Sequence, residues 1–329
     1  MNKMAWNKFL DQDRAISILK SYIDLDQVSG SFIFSGTKGV GKFSIAKEFA
    51  KSTNCLNSLG DSCSICRNCV QIENESHPDL YIVRPTDKSE EITIDMIRDL
   101  QKFLNLSSVN TDKKFFIIDE AEKMNIEAAN AFLKSLEEPP LDSVIILVSS
   151  RVGAMIPTIR SRCKELKFRP LSRESLETIL KDKFELTAED AKKISAISGG
   201  GLDFESGNID LTDMELRLRT FFHSLSFRER GDKTPLHQQR KRLKANIKSL
   251  ILYIRDILCI IKKVDALVVS VDRYDRDKSI NADPKDLIEK IEKLEYLYSA
   301  LDSNVNPDFI YKVARYIYKE VSVKSEIYS

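Results

Sequence analysis

The residues best suited to chemistry begin with GTKGVGKFS, residues 36–44. The stretch follows the phosphate-loop spacing G-x-x-x-x-G-K through Gly36, Gly41 and Lys42, with a further glycine at Gly39. Such a loop cradles phosphates with backbone N–H groups, and its lysine adds charge. The next residue should be Ser or Thr, whose hydroxyl binds magnesium, but here it is Phe43. Ser44 cannot take over, because one step along a helix turns a side chain by about 100°. A triphosphate site also needs an acid at a neighbouring strand end. KKFFIIDEAEKM (113–124) offers Asp119 for the metal and Glu120 to orient a water. The expectation is poorly held magnesium, little or no hydrolysis, and ATP or ADP bound weakly or not at all.

A second cluster lies just downstream. Cys55, Cys63, Cys66 and Cys69 read C-x7-C-x2-C-x2-C, while Cys163 and Cys259 stand apart. Short x2 spacings let adjacent turns aim sulfurs at one ion, which suits a tetrahedral structural zinc with no open position for a catalytic water. Reduced surface thiols and disulfides are the alternatives, and disulfides require an oxidising compartment. His77 is read as a turn or capping residue before Pro78, or as a neighbour of the metal site.

The elements that must position these groups follow from the pattern of apolar residues. SFIFSG (31–36) is strand-like and runs into the glycine loop, after which FSIAKEFAKS is helical in pattern. A strand is expected around 79–83, then a helix with Ile94, Ile97, Leu100 and Leu104 on one face. FFII and SVIILVSS (143–150) read as strands buried on both faces, separated by an Ala-rich helix that ends before Pro139. Buried apolar strands alternating with helices indicate an α/β fold with a parallel sheet. Beyond residue 167 the chain is helical in pattern, with broad apolar faces in 243–263 and 283–304 that suit oligomerisation. Cys259, inside an apolar run, is read as core.

Composition sets wider bounds. At 329 residues, 42% hydrophobic and 31% charged, the chain can bury two or three cores. With 51 Lys+Arg against 50 Asp+Glu, any nucleic-acid contact must be a local patch. The basic stretch 228–248 is one candidate, diluted by Glu229 and Asp232 and read as a solvated helix face. The absence of a signal-type start or an eighteen-residue apolar run gives the expectation of a soluble cytoplasmic protein with no membrane partner.

GTKGVGKFS, the four-cysteine module, HPDL (77–80), IIDEAEKM, LKSLEEPP (133–140) and IPTIRSRC (156–163) stand in one order and spacing. Together they resemble the bacterial clamp-loader subunits of the DNA polymerase III holoenzyme, of the AAA+ class. The motifs cover about the first half of the chain, and its length without a long tail resembles the delta-prime type. The resemblance implies an AAA+ core over 1–167 with the zinc module at 55–69, a helical lid over 168–210 and a helical collar over 211–329. It implies a hetero-pentamer with gamma/tau and delta subunits that opens a sliding clamp and loads it on primed DNA. By the same resemblance Arg162 of the SRC turn is an arginine finger presented to a neighbour's ATP, with Arg160 as the competitor. Ser150 matches a phosphate-sensing polar residue. Asp203 in SGGGLDFE stands where active relatives carry a lid arginine, and an acid there repels phosphate. Two other readings stay open: a hydrolysing gamma/tau-type motor that tolerates Phe43, and a zinc-containing nucleic-acid-binding module on an AAA+ shell.

Overall fold

The computed structural model describes residues 5–58, 60–85, 91–106, 108, 111, 113–184, 187–198, 200–202, 221–222, 236–263, 282–301 and 305–326. Asp203, His223 and residues 228–235 of the basic stretch lie outside them. The chain divides into two compact units, one of residues 1–191 and 198–204, the other of 192–197 and 205–329.

The first unit is built on five parallel strands, β1 (Gly30–Ser35), β2 (Leu80–Val83), β3 (Lys114–Ile118), β4 (Ser143–Ser149) and β5 (Lys164–Lys167), in the order β2-β3-β4-β1-β5. Strand alternation sorts the side chains onto two faces. Phe32, Phe34, Phe115, Ile117, Val144 and Ile146 point into one core, shared with Ile45, Ala46 and Phe49 of helix α2 (Lys42–Thr53) and with α1 (Asp13–Asp24). Ile33, Phe116, Ile118, Ile145 and Leu147 fill the opposite core. There they meet Ile97, Leu100 and Leu104 of α4 (Ile94–Leu104) and Phe132 and Leu136 of α5 (Ile126–Glu137). The periodicities of 2 and 3.6 read from the sequence are thus satisfied together.

Strand register sets the row on which the candidate site stands. Ser35 pairs with Ser149 and Ile118 with Leu147, so Gly36, Asp119 and Ser150 all leave the carboxyl edge of the sheet at nearly the same level. That edge is where open parallel sheets bind ligands. Between α2 and β2 runs the cysteine module, closed by the short helix α3 (Arg67–Glu73). After β4 the chain turns through α6 (Pro157–Arg160), β5 and α7 (Arg173–Phe184). Helix α8 (Ala188–Ile197) crosses the division between the units.

The described part of the second unit is helical: α9 (Leu236–Ile261), α10 (Pro284–Ala300) and α11 (Pro307–Glu326). They enclose their own core around Leu243, Ile247, Ile254, Leu294 and Ile310, with Phe222 stacked on Tyr311 and Tyr318. Cys259, expected in the core, is half-buried, because it lies off the face defined by Leu250, Ile254 and Ile257. Among the described residues no helix is long and apolar enough to cross a membrane.

Candidate functional site

The phosphate loop has the backbone its sequence calls for. Gly39 and Gly41 adopt φ of 79° and 93°, left-handed values that glycine reaches without a Cβ penalty. Lys42 opens α2 and is buried, and its ammonium donates at 2.7 Å to the carbonyls of both Gly36 and Thr37. The loop also lies against the Gly-run segment: Leu202 N–H donates to Gly39 O at 3.1 Å, and a Cβ on Gly39 would sit 2.2 Å from the Leu202 carbonyl carbon. Phe43 is half-buried and packs on the core below the loop. Its ring has the guanidinium of Arg84 at 5.0 Å and the ammonium of Lys47 at 5.9 Å.

Asp119 and Glu120 stand at the end of β3 as the sequence suggests, but with different surroundings. Burial raises the Asp119 pKa and the charge of Glu120 adds to it, while Arg84 and Lys42 pull it back. Glu120 takes a left-handed backbone (φ 51°), and its carboxylate faces Lys123 at 2.6 Å and Lys38 at 3.9 Å. Ser150 donates its hydroxyl to Glu122 at 2.6 Å, and its N–H to the same oxygen at 3.1 Å. Burial raises the Glu122 pKa, but these Ser150 bonds and that of Ser149 outweigh it and hold the group below the ordinary carboxylate value. Sequence reading had no signal for Glu122, one acid among three in DEAE.

Arg162 follows α6 on a turn at the surface, its side chain 31% exposed. Its Nε donates to Glu137 at 2.6 Å and its Nη1 to the Thr158 carbonyl at 2.9 Å; Nη2 also pairs with Glu137. Glu137 ends α5 and was not singled out in sequence, because its partner lies 25 residues away. Arg160, the competitor, is exposed. Cys163 of the same turn packs against the core beside α6, and burial pushes its thiol up to about 12.

The four cysteines converge, with their sulfurs all within 4.8 Å of one another. Cys63 N–H points at Cys55 Sγ (3.4 Å), Cys66 N–H at Cys63 Sγ (3.3 Å) and Cys69 N–H at Cys66 Sγ (3.5 Å). Burial acts to raise the Cys63 thiol, but the N–H groups of Ile65 and Cys66 and the neighbouring thiols bring it down to about 6. Burial pushes Cys69 the other way. Four sulfurs at this spacing, with amides aimed at them, can hold one metal ion, since amide donors stabilise ligating thiolates. His77 lies outside this cluster; its Nδ1 accepts Asp79 N–H at 3.0 Å and closes the turn before β2.

The module is tied to the core at several points. Trp6 Nε1 donates to Gly60 O at 3.0 Å and Ala5 N–H to Asp61 at 3.0 Å. Glu48 of α2, wholly buried, accepts from Lys8 (2.7 Å), Ser62 (2.5 Å) and Lys51 (2.9 Å).

Comparison with known proteins locates the relationship. Residues 11–172 match the family described as DNA polymerase III, delta subunit. The chain is 37% identical over 175 residues to the DNA polymerase III subunit delta' of Bacillus subtilis, 53% of each chain. It is 32% identical over 176 residues to that of Pseudomonas aeruginosa, covering 53% of this chain and 54% of that one. The match thus spans about half the length of these relatives. A gamma subunit-related protein of Thermotoga maritima superposes with a TM-score of 0.40 at 18% identity, covering 93% of this chain and 99% of that one. Over residues 11–172, the stretch that carries the phosphate loop, the cysteine module, the acid pair and the SRC turn, the chain is similar to the DNA polymerase III delta-subunit family, with delta-prime subunits among the relatives it matches.

Proposed function

We propose that the protein is the delta-prime subunit of a DNA polymerase III clamp loader, a non-hydrolysing member that donates Arg162 to the ATP of a neighbouring subunit. One contrast carries the reading. Lys42 of the phosphate loop is buried and bonded to Gly36 O and Thr37 O, whereas Arg162 stands on a surface turn, held there by Glu137, the Thr158 carbonyl and the Ser161 hydroxyl. Lys42, Asp119 and the loop glycines would form the cradle of a nucleotide; Phe43 takes the magnesium hydroxyl's place, so the residues present do not fit the metal. An arginine brought to a transferring phosphoryl group stabilises the charge that develops on its oxygens, and Arg162 has the reach and exposure for that role in trans.

In this reading residues 168–210 act as the lid and 211–329 as the collar that holds a hetero-pentamer with gamma/tau and delta subunits. The pentamer works in the cytoplasm on a sliding clamp and primed DNA. Zinc is the metal that suits Cys55, Cys63, Cys66 and Cys69, which would hold it as a closed structural centre.

The test is the ATPase rate of the reconstituted loader with clamp and primed DNA. Arg162→Ala lowers the rate, on the order of 10³-fold for a lost arginine finger, while Lys42→Ala and Arg160→Ala leave it within twofold. If Lys42→Ala causes the loss and the isolated chain hydrolyses ATP with magnesium, the protein is a motor of the gamma/tau type.

A further inference from the structure

Phe43 removes a metal-binding hydroxyl, and what lies over its ring is a cation belonging to the chain. Arg84 directly follows β2, and Asp119 N–H donates to the carbonyl of the preceding Val83 at 2.8 Å, so the two residues leave adjacent strand ends. The Arg84 guanidinium sits 5.0 Å from the centre of the Phe43 ring. It is anchored by Glu75, whose Oε2 accepts from Nη2 at 2.8 Å. Glu75 has a left-handed backbone (φ 56°), and its other oxygen faces Lys47, the second cation on the same ring, at 3.8 Å. Ring, anchor and strand end therefore hold one positive charge at the strand end adjacent to that of Asp119. That charge opposes the cost of burying Asp119 beside Glu120.

We propose that Arg84 is the fixed cation of this site. Held on Phe43 and anchored by Glu75, it takes beside Asp119 the electrostatic role that a divalent metal has in a hydrolysing loop. The change at Phe43 is then half of a paired replacement: a hydroxyl and a mobile metal give way to a ring and a tethered guanidinium. Lys42 on the loop carbonyls and Lys123 on Glu120 add two further cations of the chain at this edge of the sheet. The inference rests on the reading of the loop as non-hydrolysing, and it concerns the isolated chain, so it can fail while the trans role of Arg162 stands.

The experiment is a Mn²⁺ titration of the full, zinc-loaded chain followed by electron paramagnetic resonance, without chelator or nucleotide. Wild type and Arg84→Lys, which keeps the charge, bind Mn²⁺ no more tightly than Asp119→Asn does. Arg84→Met gains a site on the order of tenfold tighter, and Arg84→Met/Asp119→Asn loses it. Glu75→Gln, which only loosens the anchor, gains about threefold by the same reasoning. Equal Mn²⁺ affinity in wild type, Arg84→Met and Glu75→Gln, or a gain that survives Asp119→Asn, overturns the proposal.

Discussion

The phosphate loop and the cysteine module are neighbouring loops on one α/β core, and they treat their polar atoms in opposite ways. In the loop, donors and charges close on the chain: Lys42 on two carbonyls, Leu202 N–H on Gly39 O, Arg84 on the Phe43 ring. In the module, four like groups converge within 4.8 Å, and amide N–H groups point at their sulfurs. Four sulfurs gathered this way can hold an ion from outside, whereas the loop finds its partners inside the chain. Two motifs of one sequence thus dispose of their polar atoms differently: four sulfurs stay gathered at one point, and the loop lysine is bonded to backbone carbonyls.

Removing a metal held by the module should separate the two regions most visibly. A structural zinc in an isolated finger is worth about 10–16 kcal/mol; a module grafted on a folded core should lose less, on the order of 5 kcal/mol. Trp6 is the chain's single tryptophan, it is buried, and its indole N–H bonds the module at Gly60. Chelation or Cys66→Ser should therefore lower the melting temperature and shift Trp6 emission to the red. If neither moves, the sulfurs are bystanders and the contrast with the loop disappears.

Glu48 joins the two regions, since it lies on the helix that the phosphate loop opens and accepts from Ser62 of the module. Its carboxylate is wholly buried with Lys51, and breaking one side of such a pair costs about 3 kcal/mol. Glu48→Gln should lower stability by that order at neutral pH. Burial alone would raise the Glu48 pKa, but Lys8, Ser62 and Lys51 outweigh it and bring it below 4.5. A lowered carboxylate contributes stability above its unfolded pKa and loses it as pH falls through the folded value. Denaturant midpoints measured downward from pH 5 should therefore converge between wild type and Glu48→Gln.

The loop's structural fate is tested by Gly39→Ala. A left-handed φ costs a residue with a Cβ about 1–2 kcal/mol, and the new methyl must also displace the Leu202 peptide. Gly153→Ala, where a Cβ meets nothing within 4 Å, is the control and should be neutral. A Gly39 variant as stable as the control would mean that the loop is open and its contact with Leu202 incidental.

Much of this arrangement was legible in the sequence, and what was not has a common cause. The parallel sheet, the positions of Gly36, Asp119 and Ser150 at one edge, and the gathering of the cysteines follow from local spacing, because strands buried on both faces and x2 thiol pairs announce themselves. Arg84, Glu122, Glu137 and Leu202 were not legible. Each has a partner distant in sequence, Phe43 for Arg84, Ser150 for Glu122, Gly39 for Leu202 and, across a strand and a short helix, Arg162 for Glu137, and no periodicity records such pairs. The same holds for Phe43: its type said what was missing, and only the fold showed which residue stands against it.

Glu137 carries the weakest of these contributions, and it separates storage from presentation of Arg162. Glu137 is the last residue of α5, where the helix dipole disfavours a negative charge, and Arg162 offsets that charge from across the turn. Both side chains are partly exposed, so the pair contributes within about 1 kcal/mol, and Glu137→Gln should leave the melting curve nearly unchanged. In the assembled loader the same change should act on the finger alone. A pair of that strength keeps Arg162 on its own subunit most of the time, and releasing it raises the population able to reach a neighbour by roughly twofold to fivefold. The reconstituted ATPase of Glu137→Gln should rise by that factor, and Glu137→Gln/Arg162→Ala should be as slow as Arg162→Ala. A fall in rate with Glu137→Gln would assign the carboxylate the opposite task, since an arginine that needs its in-chain partner to work is being aimed by it.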